Sequence, residues 1–342
     1  MVRLETIENL LANVPHSPYR QAIINGNFDI WQRGTSFSTT GWTADRWNCY
    51  LSDSSSIARQ AFAVGQADVP NNPQYYARCT TSGQAGAGDL SVLIQKIENV
   101  QTFSGQTVSG SFWAKANSAC NVAIELAQSF GTGGSASIYG IGAVKVAITT
   151  TWSLVKFTIT LPSVSGKTIG DSSSLALHIW FSAGSDFNTR TDSLGIQNKV
   201  VDVAQVQLNI GDKPFLFVPK TVNQELLDCW RYYYRIPYTE IYGMISSGSS
   251  VPNSTTLCTA FMNTPVVMRK KPTFNWSNPS HFYFGDGGGV ITPTGFQAFA
   301  SYRYTGTNMF VGCNASGFTM YRAYNFLFGG TSSAWVEMDA EL

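Results

Sequence analysis

The feature that most constrains the fold is a succession of short segments in which apolar residues alternate with polar or small ones. Four clear examples are TVSGSFWAKA from Thr107, LVKFTITLP from Leu154, SLALHIWFSA from Ser174 and KVVDVAQVQLNIG from Lys199. A period of two places successive side chains on opposite faces of a β-strand. Turns rich in glycine, serine and asparagine separate the segments, without helical periods between them. This pattern predicts an antiparallel β-sandwich or jelly roll.

Length and charge narrow the possible functions. The chain has 342 residues, which suffices for two compact domains. Only 13% of the residues are charged, the net charge is +1, and the densest basic stretch is the short Val266 to Pro272. Nucleic-acid binding draws much of its affinity from a field of Lys and Arg, so no nucleic-acid partner is expected. No run approaches the roughly eighteen apolar residues of a membrane span, so no membrane insertion is expected.

Two helices are predicted in this β-rich chain. The first is a short stripe that two prolines end: Leu4, Ile7, Leu11 and Val14, then Pro15 and Pro18. It must pack on the body of the protein, on sister subunits or on an assembly, because so short a helix is unstable alone. The second is TVNQELLDCWRYYYRI from Thr221 to Ile236, where Thr221 and Gln224 match a capping box. One face of this second helix would carry Leu226, Trp230 and Tyr233.

The residue types that carry catalysis or bind metals form no recognisable motif. The six cysteines include no C-x-x-C pair and have no histidine at zinc-ligand spacing, so free thiols are expected. Carboxylates are few and scattered, and His178 lies inside an apolar segment, where a core or interface histidine is expected. We therefore predict no catalytic residues, no cofactor and no enzymatic activity, although a dispersed triad is recognised only by geometry.

An aromatic cluster near the start raises a choice between ligand platform and core. The segment NGNFDIWQRGTSF begins at Asn25, and the segment TADRW begins at Thr43, directly after Trp42. Five aromatic residues therefore lie close in sequence: Phe28, Trp31, Phe37, Trp42 and Trp47. Phe28 and Ile30 alternate with polar neighbours, as on a half-buried strand. We interpret the cluster as a core seam that closes the β-fold, with a binding platform as the alternative.

These motifs and several others resemble bacteriophage and prophage tail-associated proteins. The similarity runs from Asn25 onward through IQKIENVQTFSGQTVSGSFWAKA, VAQVQLNIGDKPFLFVP, QELLDCWRYYYR, PVVMRKKPTF and the terminal DAEL. The resemblance implies a jelly roll similar to carbohydrate-binding modules, a short helix and a C-terminal β domain. It also implies a homotrimeric fibre or spike whose axis runs near Leu226, Trp230 and Tyr233. Such jelly rolls sometimes hold a structural calcium ion, but no residue here identifies its ligands, so the metal content stays unknown.

The predicted fold class is therefore all-β, with a short N-terminal helix, a jelly-roll β-sandwich, a connecting helix and a C-terminal sandwich-like domain. The predicted domains are an anchor segment at 1–20, a jelly roll at 21–212, a connecting strand and helix at 213–236, and a C-terminal β domain at 237–342. The strand before the helix is assigned to GDKPFLFVPK, from Gly211 to Lys220.

The expected function is that of a virion protein of tail-fibre or receptor-binding type, made in the bacterial cytoplasm and released in the phage particle. Residues 1–20 would contact other virion proteins, and the distal end would contact a host surface glycan. Sugar sites combine aromatic faces with amide and carboxylate groups. The second half offers such a set, although each member could instead be a core or trimer contact: Trp276, Asn278, His281, Tyr283, Asp286, Tyr302, Tyr304 and Asn308.

Two other functions remain open at this point. A capsid-bound head fibre or decoration protein would use the N-terminal helix as its anchor, and the lack of a long shaft favours it. A polysaccharide depolymerase would need a pair of carboxylates in a groove. The low number of carboxylates argues against that enzyme.

Overall fold

A computed structural model describes residues 20–246, 248, 250–252, 254–297 and 306–342. The chain divides into two compact units, Met1–Glu225 with Leu342, and Leu226–Glu341. The predicted N-terminal helix lies outside the described residues, and so does all of the anchor segment 1–20 except Arg20. The domain boundaries predicted at residues 212 and 236 stay predictions.

Twelve strands form two six-stranded sheets in the described part of the first unit. Sheet I has the order β1-β4-β5-β12-β7-β10, and sheet II has the order β2-β3-β6-β11-β8-β9. Every neighbouring pair is antiparallel. The strands are β1 Ser36–Phe37, β2 Gly41–Trp42, β3 Trp47–Leu51, β4 Ser56–Ala61, β5 Tyr75–Thr80, β6 Leu90–Glu98, β7 Thr107–Ala116, β8 Cys120–Ser129, β9 Ile138–Ile148, β10 Ser153–Thr160, β11 Ser174–Ala183 and β12 Val200–Ile210.

The two sheets enclose one hydrophobic core, to which alternate residues of most strands contribute. From sheet I come residues such as Phe112, Phe157 and Val203, and from sheet II come Leu93, Leu126, Ile179 and their neighbours on the same face. This confirms the all-β sandwich that alternation predicted. Strand β11 departs from a half-buried pattern because all ten of its residues are buried. A second, smaller apolar cluster covers its other face, with Val92, Ile94, Ala127, Ala176 and Trp180 among its members.

The aromatic residues near the start close this core, as the sequence predicted. The rings of Phe28 and Trp47 lie 5.1 Å apart between centroids, and both side chains are completely buried. Trp31 is also buried and stacks on Phe37 at 6.3 Å. Trp42 is half-buried at the rim. The cluster is therefore part of the architecture rather than a ligand platform.

Asn25 holds the backbone of this seam together. Its Nδ2 donates to the carbonyl oxygens of Ile30 at 2.8 Å and Asp45 at 3.0 Å, and its Oδ1 accepts from the Ile30 N–H at 3.0 Å. The Asn25 carbonyl accepts from Trp47 Nε1 at 3.0 Å. Asn25 has a φ of 55°, a left-handed conformation that asparagine tolerates better than most residues. One buried amide thus satisfies three backbone groups that would otherwise be unpaired.

Helix α2 is shorter than the sequence predicted. A single turn, α1 Asn188–Thr191, precedes it in the chain, and α2 spans Val222–Trp230. The Thr221 Oγ accepts from the Gln224 N–H at 3.3 Å, which confirms the predicted cap. Residues 211–220, predicted as the connecting strand, join no sheet. The tyrosines after Trp230 leave the helix because aromatic side chains favour strands, and here they pair with the last strand of the chain.

The second unit contains three three-stranded sheets in its described part. Their orders are β13-β21-β15, β14-β19-β18 and β17-β16-β20. The strands are β13 Tyr233–Pro237, β14 Leu257–Asn263, β15 Thr273–Trp276, β16 Phe282–Gly285, β17 Val290–Ile291, β18 Gly295–Gln297, β19 Asn308–Asn314, β20 Asn325–Phe328 and β21 Trp335–Asp339. Its core is rich in phenylalanine, with Phe282, Phe284, Phe296, Phe326 and Phe328 in mutual ring contact.

Tyr233 occupies a different place from the one predicted for it. The predicted helical face of Leu226, Trp230 and Tyr233 does not form, because Tyr233 is the first residue of strand β13 and is only 1% exposed. Its hydroxyl donates to Glu337 in the same unit. Leu226 and Trp230 do lie on α2, where both are half-buried. Trimer formation itself stays a prediction.

Replacing Asn25 with alanine is expected to lower the free energy of unfolding of the first unit by about 3–5 kcal/mol. Three buried backbone groups lose their partner, and alanine adopts the left-handed backbone at a further cost. The matched control is Asn72→Ala, at an exposed residue whose φ is 46°, where only a backbone penalty of about 1 kcal/mol is expected. Urea denaturation of the full chain measures both. Equal losses in the two variants would contradict the role assigned to the Asn25 amide.

Candidate functional site

A groove of about 290 Å³ lies on the outer face of sheet II, the face that does not contact the sandwich core. Strands β6, β11 and β8 form its floor, and the register places their outward residues in rows: Val92, Trp180 and Ala123, then Ile94, His178 and Glu125, then Lys96, Ala176 and Ala127. Ser174 faces Ser129 at the end of these rows. The volume is near the lower end of the range for small-molecule sites.

Two exposed tyrosines stand at opposite sides of the groove. Tyr50 on β3 is 47% exposed, and Tyr139 on β9 is 54% exposed. Four strand spacings separate β3 from β9 in sheet II, which corresponds to about 19 Å across the strands. The floor between them is buried and apolar except at His178 and Glu125, while Lys96, Ser129 and Ser174 supply further polar groups. The groove thus combines aromatic faces with a few hydrogen-bonding groups.

A completely buried carboxylate, Glu125, organises one side of the groove. Its Oε1 accepts from Arg190 Nε at 2.9 Å and from Trp180 Nε1 at 3.3 Å, and a second Arg190 nitrogen also donates to it. Its Oε2 accepts from the Gly140 N–H. A buried charge is tolerated only when it is paired and hydrogen-bonded, and here both oxygens have partners. Glu125 therefore fixes Arg190, Trp180 and strand β9 relative to one another.

Arg190, which is held by Glu125, also contacts the exposed ring of Tyr139. Its guanidinium carbon lies 4.4 Å from the centroid of the Tyr139 ring and 4.9 Å from that of Trp180. Such contacts favour a fixed ring position. Gly140, which follows Tyr139 in β9, has a φ of 70°, and a Cβ at this residue would lie 3.0 Å from the Thr189 carbonyl oxygen. Glycine is needed because β9 passes this close to α1 with a left-handed backbone.

His178 lies in the floor of the groove and stacks on Trp180, with ring centroids 6.2 Å apart. Its Nδ1 is buried without a hydrogen-bond partner and lies 3.8 Å from Glu125 Oε1. Burial, followed by repulsion from Arg190 and Lys96, lowers its pKa from 6.5 to about 3. His178 is therefore neutral near pH 7. It is a buried histidine, as the sequence predicted, but it belongs to the groove rather than to the sandwich core.

The rest of the groove was not predicted from the sequence. Its residues come from six elements far apart in the chain, β3, β6, β8, β9, α1 and β11. One signal was present in the sequence. The strand that bears His178 and Trp180 has apolar residues on both faces, which indicates that both faces are covered. The alternation of residues does not tell which strands become neighbours, so sequence could not assemble the set.

Four of the glycan-binding candidates from the second unit make contacts within that unit. Trp276, at the end of β15, packs on Phe274 and Phe296 with centroid distances of 5.7 and 5.0 Å. Asn278 accepts from the Ser280 N–H at 3.0 Å as the cap of a short 3-10 turn. The remaining two are His281, whose Nδ1 lies 2.9 Å from Ser277 Oγ, and half-buried Tyr283, whose ring is 6.0 Å from that of Tyr242.

Asp286 and Asn308 lie at turns or strand ends. Asp286 accepts from the Gly288 N–H at 2.8 Å and from Arg322 Nε at 2.6 Å, and these contacts, the backbone bond first, lower the pKa of its carboxyl. Asn308 is exposed and opens β19. Tyr302 and Tyr304 lie outside the described residues. Trp276, Tyr283 and Asn308 belong to three different sheets, and glycan binding by the whole set stays a prediction.

The cysteines and the other metal-binding residue types form no cluster in the described part of the chain. There, no three histidine, cysteine, aspartate or glutamate side chains come together in a way that would hold a metal ion. Across the same residues, no helix has the length and apolar character to cross a bilayer. All six cysteines are free thiols, as the sequence predicted.

Acid is expected to destabilise the protein through His178. Between pH 6.5 and pH 3 the unfolded chain binds a proton on this histidine that the native state does not, so the free energy of unfolding falls as the pH falls. The loss from pH 7 to pH 5 is expected to be about 2 kcal/mol. His178→Phe keeps a ring on Trp180 without a titrating group and should lack this loss. Urea denaturation measures the free energy of unfolding of both proteins across this pH range. An equal loss in the two proteins would refute the role of His178.

No protein-family model matches the chain, and no curated protein sequence matches it. Solved structures match about half of it. A CBM4 module is similar at 17% identity over 55% of this chain and 98% of its own, with a TM-score of 0.33. The enzymatically active domain of tailspike protein 4 of bacteriophage CBA120 is similar at 11% identity over 57% of this chain and 22% of its own, with a TM-score of 0.34. A cyclase from Fischerella sp. TAU is similar at 12% identity over 57% of this chain and 99% of its own, with a TM-score of 0.39.

Proposed function

We propose that this protein binds glycans in the groove of sheet II and does not act on them chemically. The observation that carries the proposal is the pair of exposed tyrosines, Tyr50 and Tyr139, on either side of an apolar floor with polar groups at its end. Sugar rings present apolar C–H faces and a rim of hydroxyls. Tyrosine faces suit the former, and Lys96, Ser129 and Ser174 suit the latter.

The chemistry of the groove supports binding rather than catalysis. Glycoside hydrolysis requires two carboxyl groups that are free to donate or accept protons. Two carboxylates lie next to the described lining of the groove, Glu125 and Glu98, the latter opposite Ser174 in the pairing of β6 with β11. Both oxygens of Glu125 are engaged by Arg190, Trp180 and Gly140. We therefore propose a non-catalytic role for Glu125, as the residue that positions Tyr139.

The resemblance to phage tail-associated proteins extends the proposal to the particle. We infer a virion protein of tail-fibre or receptor-binding type that presents the groove to glycans on the host surface. Its anchor to other virion proteins would be residues 1–20, and its assembly state would be a homotrimer. Exposed apolar residues on α2 and just before it, Leu216, Val218, Val222 and Leu227, support self-association because oligomers commonly cover such side chains.

Removing the exposed tyrosines is expected to weaken glycan binding without unfolding the protein. Tyr139→Ala should lower affinity about tenfold, because a stacked sugar face of this size contributes about 1.5 kcal/mol of apolar burial. Tyr50→Ala should act similarly. A glycan array with the full chain identifies the ligand, and isothermal titration then measures each variant. Tyr321→Ala, at an exposed tyrosine of the second unit, is the control and should bind normally. Unchanged binding in both groove variants would reject the site.

Light scattering tests the proposed trimer. The full chain should have three times the monomer mass, and Leu227→Glu should give the monomer because it places a charge at an exposed apolar residue of α2. Val64→Glu, at an exposed apolar residue of the first unit, is the matched control and should leave the trimer intact. A monomeric full chain would overturn the trimer, and dissociation by both variants would overturn its location on α2.

A further inference from the structure

The outer face of sheet I is partly covered by other segments of the chain. Beyond a bulge in β12, at Gln205, two outward side chains are bound by the segment that leads to α2. Asn209 Nδ2 donates to the Lys213 carbonyl at 3.0 Å, its Oδ1 accepts from the Phe215 N–H at 2.9 Å, and Gln207 Nε2 donates to the Phe215 carbonyl. At the bulge itself, Gln205 Nε2 donates to the Pro70 carbonyl at 2.7 Å.

Before the bulge, the same face carries three aromatic rings in mutual contact. The ring of Phe62 lies 4.7 Å from that of Tyr76 and 5.2 Å from that of Trp152, and Tyr76 meets Trp152 edge-on at 5.4 Å. Tyr76 is buried beneath the other two, which are half-exposed. We call this cluster, together with Lys115 and Arg78, the Trp152 patch.

The charges of the Trp152 patch leave a cation in excess. Arg78 pairs with Asp202 through two bonds, at 2.7 and 2.9 Å, while Lys115 Nζ lies 3.8 Å from the same carboxylate. Two cations therefore share one anion. Lys115 Nζ also lies 5.1 Å from the Trp152 centroid and 5.9 Å from that of Tyr76, and its side chain is 31% exposed. The incompletely neutralised ammonium group thus lies over the ring of Trp152, and that ring is half-exposed.

We propose that the Trp152 patch is a second saccharide site, specific for acidic sugars such as glycuronans. A uronic acid unit presents an apolar ring face next to a carboxylate, and the Trp152 patch offers it a half-exposed indole in contact with an ammonium group. Strands β5, β12 and β7 beneath the patch are bonded to neighbours on both sides, so an acidic peptide finds no free strand edge to extend. One spare cation is too small a field for a nucleic acid. The patch lies on the opposite sheet from the groove, so neither site depends on the other.

Titration of the full chain with polygalacturonate, and with a neutral galactan for comparison, tests the proposal. Polygalacturonate should bind and weaken as salt rises, while the neutral polymer should not compete at this site. Lys115→Met keeps the apolar stem and should weaken polygalacturonate binding about ten- to hundredfold. Trp152→Ala should weaken it about tenfold, and Trp152→Phe, which keeps a ring, should retain part of the affinity. Thermal unfolding of each variant shows whether the fold is intact.

Two control variants separate binding at the Trp152 patch from unspecific charge attraction and from binding in the groove. Lys156→Met removes an equal charge from exposed β10 of the same sheet, away from the three rings, and should leave binding within twofold. Tyr139→Ala, in the groove of sheet II, should leave polygalacturonate binding unchanged. Equal losses from Lys115→Met and Lys156→Met would overturn the site in favour of unspecific charge attraction. No binding of polygalacturonate, or equal binding of polyglutamate or single-stranded DNA, would overturn the saccharide assignment.

Discussion

A carboxylate with no exposure to solvent must be neutralised where it stands, and in this protein that requirement shapes the groove. Glu125 lies on a strand of sheet II, next to the apolar residues Ala123 and Ala127 of its outer face. Arg190, which comes from the single helical turn α1, forms an ion pair with Glu125. The same pair fixes the Trp180 indole and draws the bulged strand β9 inward through Gly140. The geometry of the groove thus follows from the cost of one buried charge.

How much the sequence could predict differs between the fold and the site. Alternation in segments such as Thr107 to Ala116 and Ser174 to Ala183 specified strands, because side-chain faces follow directly from a period of two. The predicted helix α2 was too long. Tyr233 pairs in a strand with Asp339, roughly a hundred residues away, and a local sequence pattern contains no information on such a distant partner. The groove was not predicted because strand order decides which residues meet. His178 was singled out correctly, but its neighbours Glu125 and Ile94 come from pairing between distant segments.

Aromatic residues serve two distinct purposes in this chain. In the seam around Phe28 and Trp47 and in the phenylalanine core of the second unit, they fill space between sheets. Trp276 belongs to this class, since its ring contacts Phe274 and Phe296, and composition alone could not reveal that. Tyr50 and Tyr139 belong to the other class, because their rings stand in solvent beside an apolar floor. Burial separates the two classes, and it depends on the fold.

The bulges of β9 have a consequence beyond the groove. This strand is the outer edge of sheet II, and its pairing with β8 shifts register twice, near two left-handed glycines, Gly140 and Gly142. A regular edge strand offers a row of free N–H and C=O groups on which another chain can assemble. An edge bent at two points offers no such continuous row. The irregularity that presents Tyr139 therefore also protects the molecule against sheet-to-sheet polymerisation, which matters most where many copies are held at high local concentration.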